Sequence, residues 1–257
     1  MDQEKRPVAL VTGVGRRAGI GAAIVERLAR DGWDIGFTYW RPYDDRMTWG
    51  RDDAARQEIT DVAESLGARV ISVEADLADP STPESVFRQV GAVLGPVRAL
   101  VLNHAESVDS TIMNTTIESF DRHFAVNVRA AWLLIRAFAD QFAEPADAHT
   151  GRIIALTSDH TAGNLPYGAS KGALDRIVIA SAIELKHLGL TANVINPGPT
   201  QTGWIDETGA AWMRDRTPAG RLGLPADAAN LIGFLCSPEG AWINGQLLHS
   251  DGGFSVS

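Results

Sequence analysis

The sequence predicts a doubly wound α/β fold, with one seven-stranded parallel sheet and helices on both of its faces, in a single domain over residues 1–257. Three observations predict it. Short β-type runs alternate with helix-type runs along the whole chain, the pattern of a parallel sheet with right-handed crossovers. Several β-type runs are apolar throughout rather than alternating, as strands covered on both faces are. A glycine-rich turn joins the first run to the first helix, at the end of the sheet where parallel strands place ligands.

The elements follow in order. Residues 8–12 lie between Pro7 and Gly13 and form the first strand. Ile20, Ile24 and Leu28 recur at i, i+4 and i+8, so a helix follows. Residues 34–39, 69–74 and 99–103 are the second, third and fourth strands. Phe124, Val128, Ala131, Ile135, Phe138 and Phe142 keep a 4-3-4-3-4 spacing, a sustained helical stripe. Residues 151–156 form the fifth strand. Leu174, Ile177, Val178, Leu185 and Leu188 make a third stripe, and residues 191–195 and 246–249 complete the sheet. Segment 40–53, rich in Arg, Asp and Trp, is either a surface elaboration or a lid over the adenosine end of a nucleotide site. No repeat, low-complexity tract or linker interrupts the pattern.

Composition narrows the class. Hydrophobic residues make up 45% and charged residues 21%, which excludes a disordered or collagen-like chain. The net charge is −9, the pI is about 5.1 and no run of Lys or Arg appears, against a nucleic-acid partner. The single cysteine, Cys236, allows neither an intrachain disulfide nor a cysteine zinc site. No metal site is expected. Cys236 sits in the apolar run 231–236 and reads as a buried core thiol. The charged start, residues 1–6, leads into a run too short for a signal sequence. The most apolar helical stretch, 130–139, contains Arg136 and is too short to span a bilayer. The expectation is a soluble, cytoplasmic protein without a membrane partner.

The turn Thr12-Gly-Val-Gly-Arg-Arg-Ala-Gly-Ile-Gly21 has strand before it and helix after it. Its glycines permit close approach of backbone to a pyrophosphate, and the helix N-terminus favours that anion. A site specific for NAD usually has an acid at the end of the second strand. Here Tyr39, Trp40 and Arg41 occupy that place, with Arg16 and Arg17 in the glycine loop. The planar guanidinium suits a 2′-phosphate, so NADP(H) is favoured over NAD(H), with Asp44 and Asp45 opposing.

Tyr167 and Lys171 are four apart and so share one helix face. A phenol ionises near pH 10, and a neighbouring ammonium favours phenolate. The pair is therefore expected to bring the tyrosine toward a working range for acid–base catalysis. Alone, Tyr and Lys at this spacing are commonly surface neighbours. Upstream, residues 151–158 form a strand that ends in hydroxyls, which puts Ser158 at the carboxyl edge with Asn103 and the glycine loop. Its hydroxyl is placed to polarise a substrate carbonyl.

In this order, Thr12-Gly13, Gly19-Ile20-Gly21, Asp76-Leu77, Asn103, Asn127, Ser158, Tyr167 with Lys171, Asn196-Pro-Gly198 and the tail 245–253 resemble a single-domain short-chain dehydrogenase/reductase over nearly the whole chain. The resemblance is to the branch that includes 3-oxoacyl-ACP reductases, with a Rossmann-type fold. It implies that Tyr167 exchanges a proton with the substrate oxygen as hydride moves between a carbonyl and a secondary alcohol. It implies that Lys171 lowers the Tyr167 pKa and holds the nicotinamide ribose, that Ser158 orients the carbonyl, and that Asn127 holds a relay water. It further implies that Asp76 and Leu77 meet the adenine, and that Asn103 lines the ribose side. Pro197, Gly198, Thr200 and Thr202 would contact the nicotinamide end. A homotetramer is also implied.

Three departures stand out. Five residues separate Gly13 from Gly19, where the family usually has three. The family's Asn-Asn-Ala-Gly reads Asn103-His-Ala-Glu106, and Glu106 is expected to point to solvent. Only eight residues separate Ser158 from Tyr167, against about a dozen, so the loop that holds His160 is short; His160 either touches substrate or faces water. Enoyl reductases of the superfamily space Tyr and Lys more widely, and halohydrin dehalogenase relatives replace the Lys by Arg. A Ser158–His160 hydrolase lacks the Gly-x-Ser-x-Gly elbow. The alternative from another class is a non-catalytic dinucleotide sensor or scaffold. The substrate wall is expected from residues 158–166 and 203–220, where Trp204, Ile205, Trp212 and Met213 supply apolar bulk.

Overall fold

A computed structural model describes residues 6–142 and 151–257; the first five residues of the charged start lie outside it. Seven strands form one sheet: β1 (Val8–Val11), β2 (Asp34–Tyr39), β3 (Val70–Glu74), β4 (Val97–Leu102), β5 (Gly151–Leu156), β6 (Leu190–Asn196) and β7 (Leu247–His249). Their order is β3-β2-β1-β4-β5-β6-β7, and every pairing is parallel. β1 separates a half that grows toward β3 from a half that grows toward β7. A crevice opens at that reversal, at the carboxyl ends of β1 and β4. The strands lie where the sequence predicts them, with β4 starting two residues earlier, at Val97.

The apolar runs bury on both faces, as expected for parallel strands. Val8 and Leu10 join one core, with Val86 and Val90 of α4 (Thr82–Leu94), Leu134 and Phe138 of α6 (Ala130–Ala139), and Leu174 and Val178 of α7 (Leu165–Glu184). Ala9 and Val11 point to the other core. There they meet Ile24 and Leu28 of α1 (Ile20–Arg30), Ile59 of α3 (Ala55–Ser65) and Ile232 of α9 (Pro225–Cys236). Cys236 ends α9, buried, and burial pushes its thiol up to about 12.

The 4-3-4-3-4 stripe is not one helix. α5 (Ile117–Phe124) passes into a π-turn, Ala125–Arg129, before α6 begins. The Ala130 N–H donates to the Ala125 carbonyl, five residues back. The extra residue rotates the chain relative to an α-helix. Phe124 and Val128 therefore stay half-buried, while His123 and Asn127 turn inward. Ala131, Ile135, Phe138 and Phe142 keep the core face.

Segment 40–53 folds over the crevice. It contains the short α2 (Arg41–Asp45), and Trp40, Tyr43 and Asp44 line the cavity beneath. Of the two readings of this segment, the covering one matches. A second cover comes from α8 (Glu207–Arg216), whose N-cap Asp206 accepts from Gly209 N at 2.7 Å.

Candidate active site

A cavity of about 680 Å³ lies at the carboxyl ends of the central strands. Its floor begins at the glycine loop. Gly13 has φ +73°, and a Cβ there would lie 2.5 Å from His104 Cα. Only glycine lets the loop pass this close to the end of β4. Asn103 braces the approach: its Nδ2 donates to the Thr12 and Gly13 carbonyls at 3.0 and 2.8 Å. Gly19 caps α1 without a side-chain acceptor, so the first-turn N–H groups remain available to an anion. On the opposite side Gly198, at φ +60°, passes so close to Asp251 that a Cβ would lie 2.4 Å from the Asp251 Cβ. These bare stretches of backbone fit a dinucleotide, which needs main chain rather than side chain against its phosphates.

Sixteen of the sequence-predicted residues line this one cavity: Gly13, Arg16, Gly19, Ile20, Gly21, Trp40, Asp76, Leu77, Asn103, Ser158, Tyr167, Lys171, Pro197, Gly198, Thr200 and Thr202. Three do not. The longer glycine loop carries Arg17 to the outer surface, where it pairs with Asp52 at 2.8 Å and Glu58 at 2.6 Å. Arg41 lies outside, 5.4 Å above the Tyr39 ring and 3.8 Å from Glu74. Asn127 stands behind the wall. Its Oδ1 accepts from Glu106 N at 2.7 Å, and its Nδ2 donates to Glu106 O at 2.9 Å and Ser170 Oγ at 2.8 Å. Ser170 Oγ in turn donates to the Tyr167 carbonyl at 2.7 Å, so Asn127 steadies the turn that bears Tyr167.

Arg16 faces inward. It donates to the Thr202 carbonyl at 2.9 Å and lies 4.2 Å from the centre of the Trp49 ring. Tyr167 sits in the first turn of α7 and Lys171 one turn on. Lys171 Nζ donates to the Leu156 carbonyl at 2.8 Å and lies 5.6 Å from the Tyr167 ring centre. The Ser158 hydroxyl accepts from His160 N at 3.2 Å and acts on the Tyr167 phenol in the direction of a lower pKa. The expected lowering of the Tyr167 pKa is not what this arrangement gives. Burial pushes the phenol up to about 12 against the Ser158 hydroxyl, and burial pulls Lys171 down to about 8. Both groups share a desolvated pocket, and desolvation disfavours either charge.

A profile of the family described as Enoyl-(Acyl carrier protein) reductase matches residues 13–255. An uncharacterized oxidoreductase of Bacillus subtilis is 35% identical over 258 residues, 99% of each chain. The short-chain dehydrogenase/reductase family is decided by that match together with the fold and the glycine loop. This chain belongs to it. An NADPH-dependent aldehyde reductase-like protein of Arabidopsis thaliana is 36% identical over 262 residues, covering 96% of this chain and 93% of that one. A Burkholderia cenocepacia short-chain dehydrogenase solved with NADP has a TM-score of 0.84 and 32% identity, over 98% of this chain and all of that one.

Within this dehydrogenase/reductase, the wall departs from the sequence expectation at Glu106 and gains Tyr43, to which the sequence gives no role. Glu106 does not point to solvent. It is 3% exposed and held by Arg46 Nη2 at 2.8 Å and Arg122 Nε at 3.2 Å. A buried carboxylate requires such partners. Arg122 also reaches Asp76 at 3.5 Å. His104, two residues before Glu106, is buried, with Thr12 Oγ1 2.6 Å from Nδ1 and the Val126 carbonyl 3.0 Å from Nε2. Burial and the Lys171 charge bring its pKa down to about 3. Tyr43 donates to the Ser107 carbonyl at 3.3 Å. His160 lines the cavity. Among the described residues no cluster could hold a metal, and no helix is long and apolar enough to cross a membrane.

Proposed function

We propose that the whole chain acts as one catalytic domain, an NADP(H)-preferring oxidoreductase that interconverts a carbonyl and a secondary alcohol on a small molecule. The observation that carries this is the convergence of Ser158, Tyr167 and Lys171 on the cavity that the glycine loop opens. The reaction type is that of a 3-oxoacyl reductase. NADPH bound there supplies the hydride. Gly13, Gly19, Ile20 and Gly21 would hold its pyrophosphate, Asp76 and Leu77 its adenine, and Asn103, Lys171, Pro197, Gly198, Thr200 and Thr202 its nicotinamide half.

The chain's own residues handle the proton. Ser158 donates to the substrate oxygen and fixes it beside Tyr167. Tyr167 Oη delivers its proton to that oxygen as negative charge builds on it. An upward-shifted phenol is still a stronger acid than the alcohol that the transfer produces, so the transfer runs downhill. Lys171 then favours the phenolate left behind. Arg16, which lines the cavity, supports NADP over NAD, and Tyr39, followed by Trp40, stands where an NAD enzyme carries an acid. Asp44, close to Gly15, opposes by charge. A half-exposed apolar groove of Phe124, Val128, Trp132 and Ile177 supports a homotetramer, and the absence of a spanning helix among the described residues is compatible with a cytoplasmic location.

Titration with NADPH and NADH tests the cofactor half, with tighter NADPH binding expected. Tyr167→Phe should cut turnover about 10²–10⁴-fold while NADPH still binds. Binding without turnover by the parent protein across a broad carbonyl panel would favour the sensor. Binding of neither nucleotide would withdraw the oxidoreductase reading.

A further inference from the structure

Lys171 is a cation in surroundings that oppose one. It is 2% exposed, and its Nζ is held by a neutral group, the Leu156 carbonyl. Burial disfavours the ammonium, yet the proton chemistry above relies on that ammonium to favour the Tyr167 phenolate. The groups around it give little help. Tyr167 is a phenol that burial keeps neutral. His104, after β4, is held neutral by burial and by the Lys171 charge itself. Glu106 is already engaged by Arg46 and Arg122. Asp159, after β5, acts on Tyr167 and against its ionisation.

One carboxylate remains, on the helix that carries the pair. Tyr167, Lys171 and Asp175 stand at i, i+4 and i+8 in α7, on one face. Helical side chains lean toward the N-terminus, so Asp175 leans over the turn that bears Lys171. Thr157 stands at the same turn, its Oγ1 3.5 Å from the Lys171 carbonyl. Asp175 is half-buried and does not line the cavity, and its Oδ1 is buried without a hydrogen-bond partner. A carboxylate placed so is costly unless a cation answers it. Burial pushes the Asp175 pKa up, while Thr157, Lys171 and Arg176 act the other way. Arg176 is exposed, so Lys171 is the cation on the buried side. The effect is mutual, since the Asp175 charge favours the Lys171 ammonium against its burial. A charge needs no open path to act, and one closed off from solvent is screened less than one on the surface.

We propose that Asp175 is a positioning residue for the proton transfer: its carboxylate, one helix turn beyond Lys171, keeps the lysine charged and thereby sets the proton affinity of Tyr167. This rests on the carbonyl–alcohol reading above and deepens it.

The sequence makes the test direct. Lys5, Lys171 and Lys186 are the three lysines. Protein grown with lysine carrying carbon-13 at Cε should therefore show three signals in the NMR spectrum, and Lys171→Arg identifies the one that matters. In the parent protein that signal should titrate near pH 8. In Asp175→Asn, which keeps the shape and drops the charge, the midpoint should fall by at least about half a pH unit. In Asp175→Glu it should stay near the parent value. Reduction is measured beside it with NADPH and the fastest-reduced member of a carbonyl panel that includes butane-2,3-dione, ethyl acetoacetate and cyclohexanone. The loss of kcat/KM in Asp175→Asn should widen by at least about threefold from about pH 6 to about pH 9, the fold-change that half a pH unit gives. Asp175→Glu should recover most of it, whereas a packing defect lowers the rate by one factor at every pH. An unmoved Lys171 midpoint in Asp175→Asn, or a loss that is the same at every pH, overturns the inference and leaves the oxidoreductase standing. A moved midpoint in protein that binds NADPH and reduces no member of the panel overturns the oxidoreductase reading, and the role of Asp175 in proton transfer falls with it.

Discussion

Glu106 and His104 replace residues that the family usually keeps small or amidic, and each changes what its surroundings must supply. Glu106 is tolerable in the wall because Arg46 and Arg122 neutralise it. Removing both arginines, as Arg46→Ala with Arg122→Ala, leaves a buried carboxylate unpaired and should cost about 3–5 kcal/mol, read by urea unfolding. Adding Glu106→Gln to that background should restore most of the loss. His104 works through its neutral form. Its folded pKa is about 3, so between the ordinary histidine value of about 6.5 and that figure the unfolded chain binds a proton that the folded chain refuses. Stability is therefore full above about pH 6.5 and falls as the pH drops toward 3, by about 1.4 kcal/mol per pH unit from this group. His104→Asn should remove that slope from the pH dependence of unfolding. At this scale the sequence shows the reacting trio, because Ser158, Tyr167 and Lys171 are local in the chain. It hides the Glu106 clamp, because Arg46 is 60 positions away and Arg122 is 16, and only the fold brings them together.

Among the elements, the strands are readable because β1, β5 and β6 are buried along their whole length, β1 being apolar throughout and β5 apolar but for Arg152. The π-turn is not, because a 4-3-4-3-4 apolar stripe is also what an uninterrupted α-helix shows. One added residue is enough to turn Asn127 inward against Glu106. Segment 40–53 admits two readings in the sequence, since nothing local says what a polar, aromatic segment will meet. It meets the glycine loop and the second cover at once. Trp49 donates to Asp44 Oδ1 at 2.9 Å, lies under Arg16, and packs at a tilt of 52° against Trp204 with ring centres 4.8 Å apart. Trp49→Ala should loosen both covers together. Hydrogen exchange should rise in residues 41–50 and in residues 203–216 alike. A rise confined to the first would mean that the covers move separately.

Across the whole molecule, the charge of −9 and the exposed apolar groove pull in different directions, toward dispersal and toward association. Trp132 is 49% exposed at the groove, beside the stacked Phe120 and Phe124 rings at 4.6 Å. If four copies assemble through this face, Trp132→Arg should reduce the mass seen by light scattering, with the catalytic cavity of each copy intact. An unchanged mass would place the assembly contact elsewhere. The contact of Trp49 with Trp204 has a consequence of another kind, in time rather than space. One roof spans the nucleotide end and the substrate end of a single cavity, so the two ligands cannot arrive in either order with equal ease. On the proposed placement, a nucleotide against the glycine loop would go in first and come out last. In product-inhibition kinetics NADP⁺ should then compete with NADPH and be noncompetitive toward the carbonyl, a compulsory sequence written by two tryptophans.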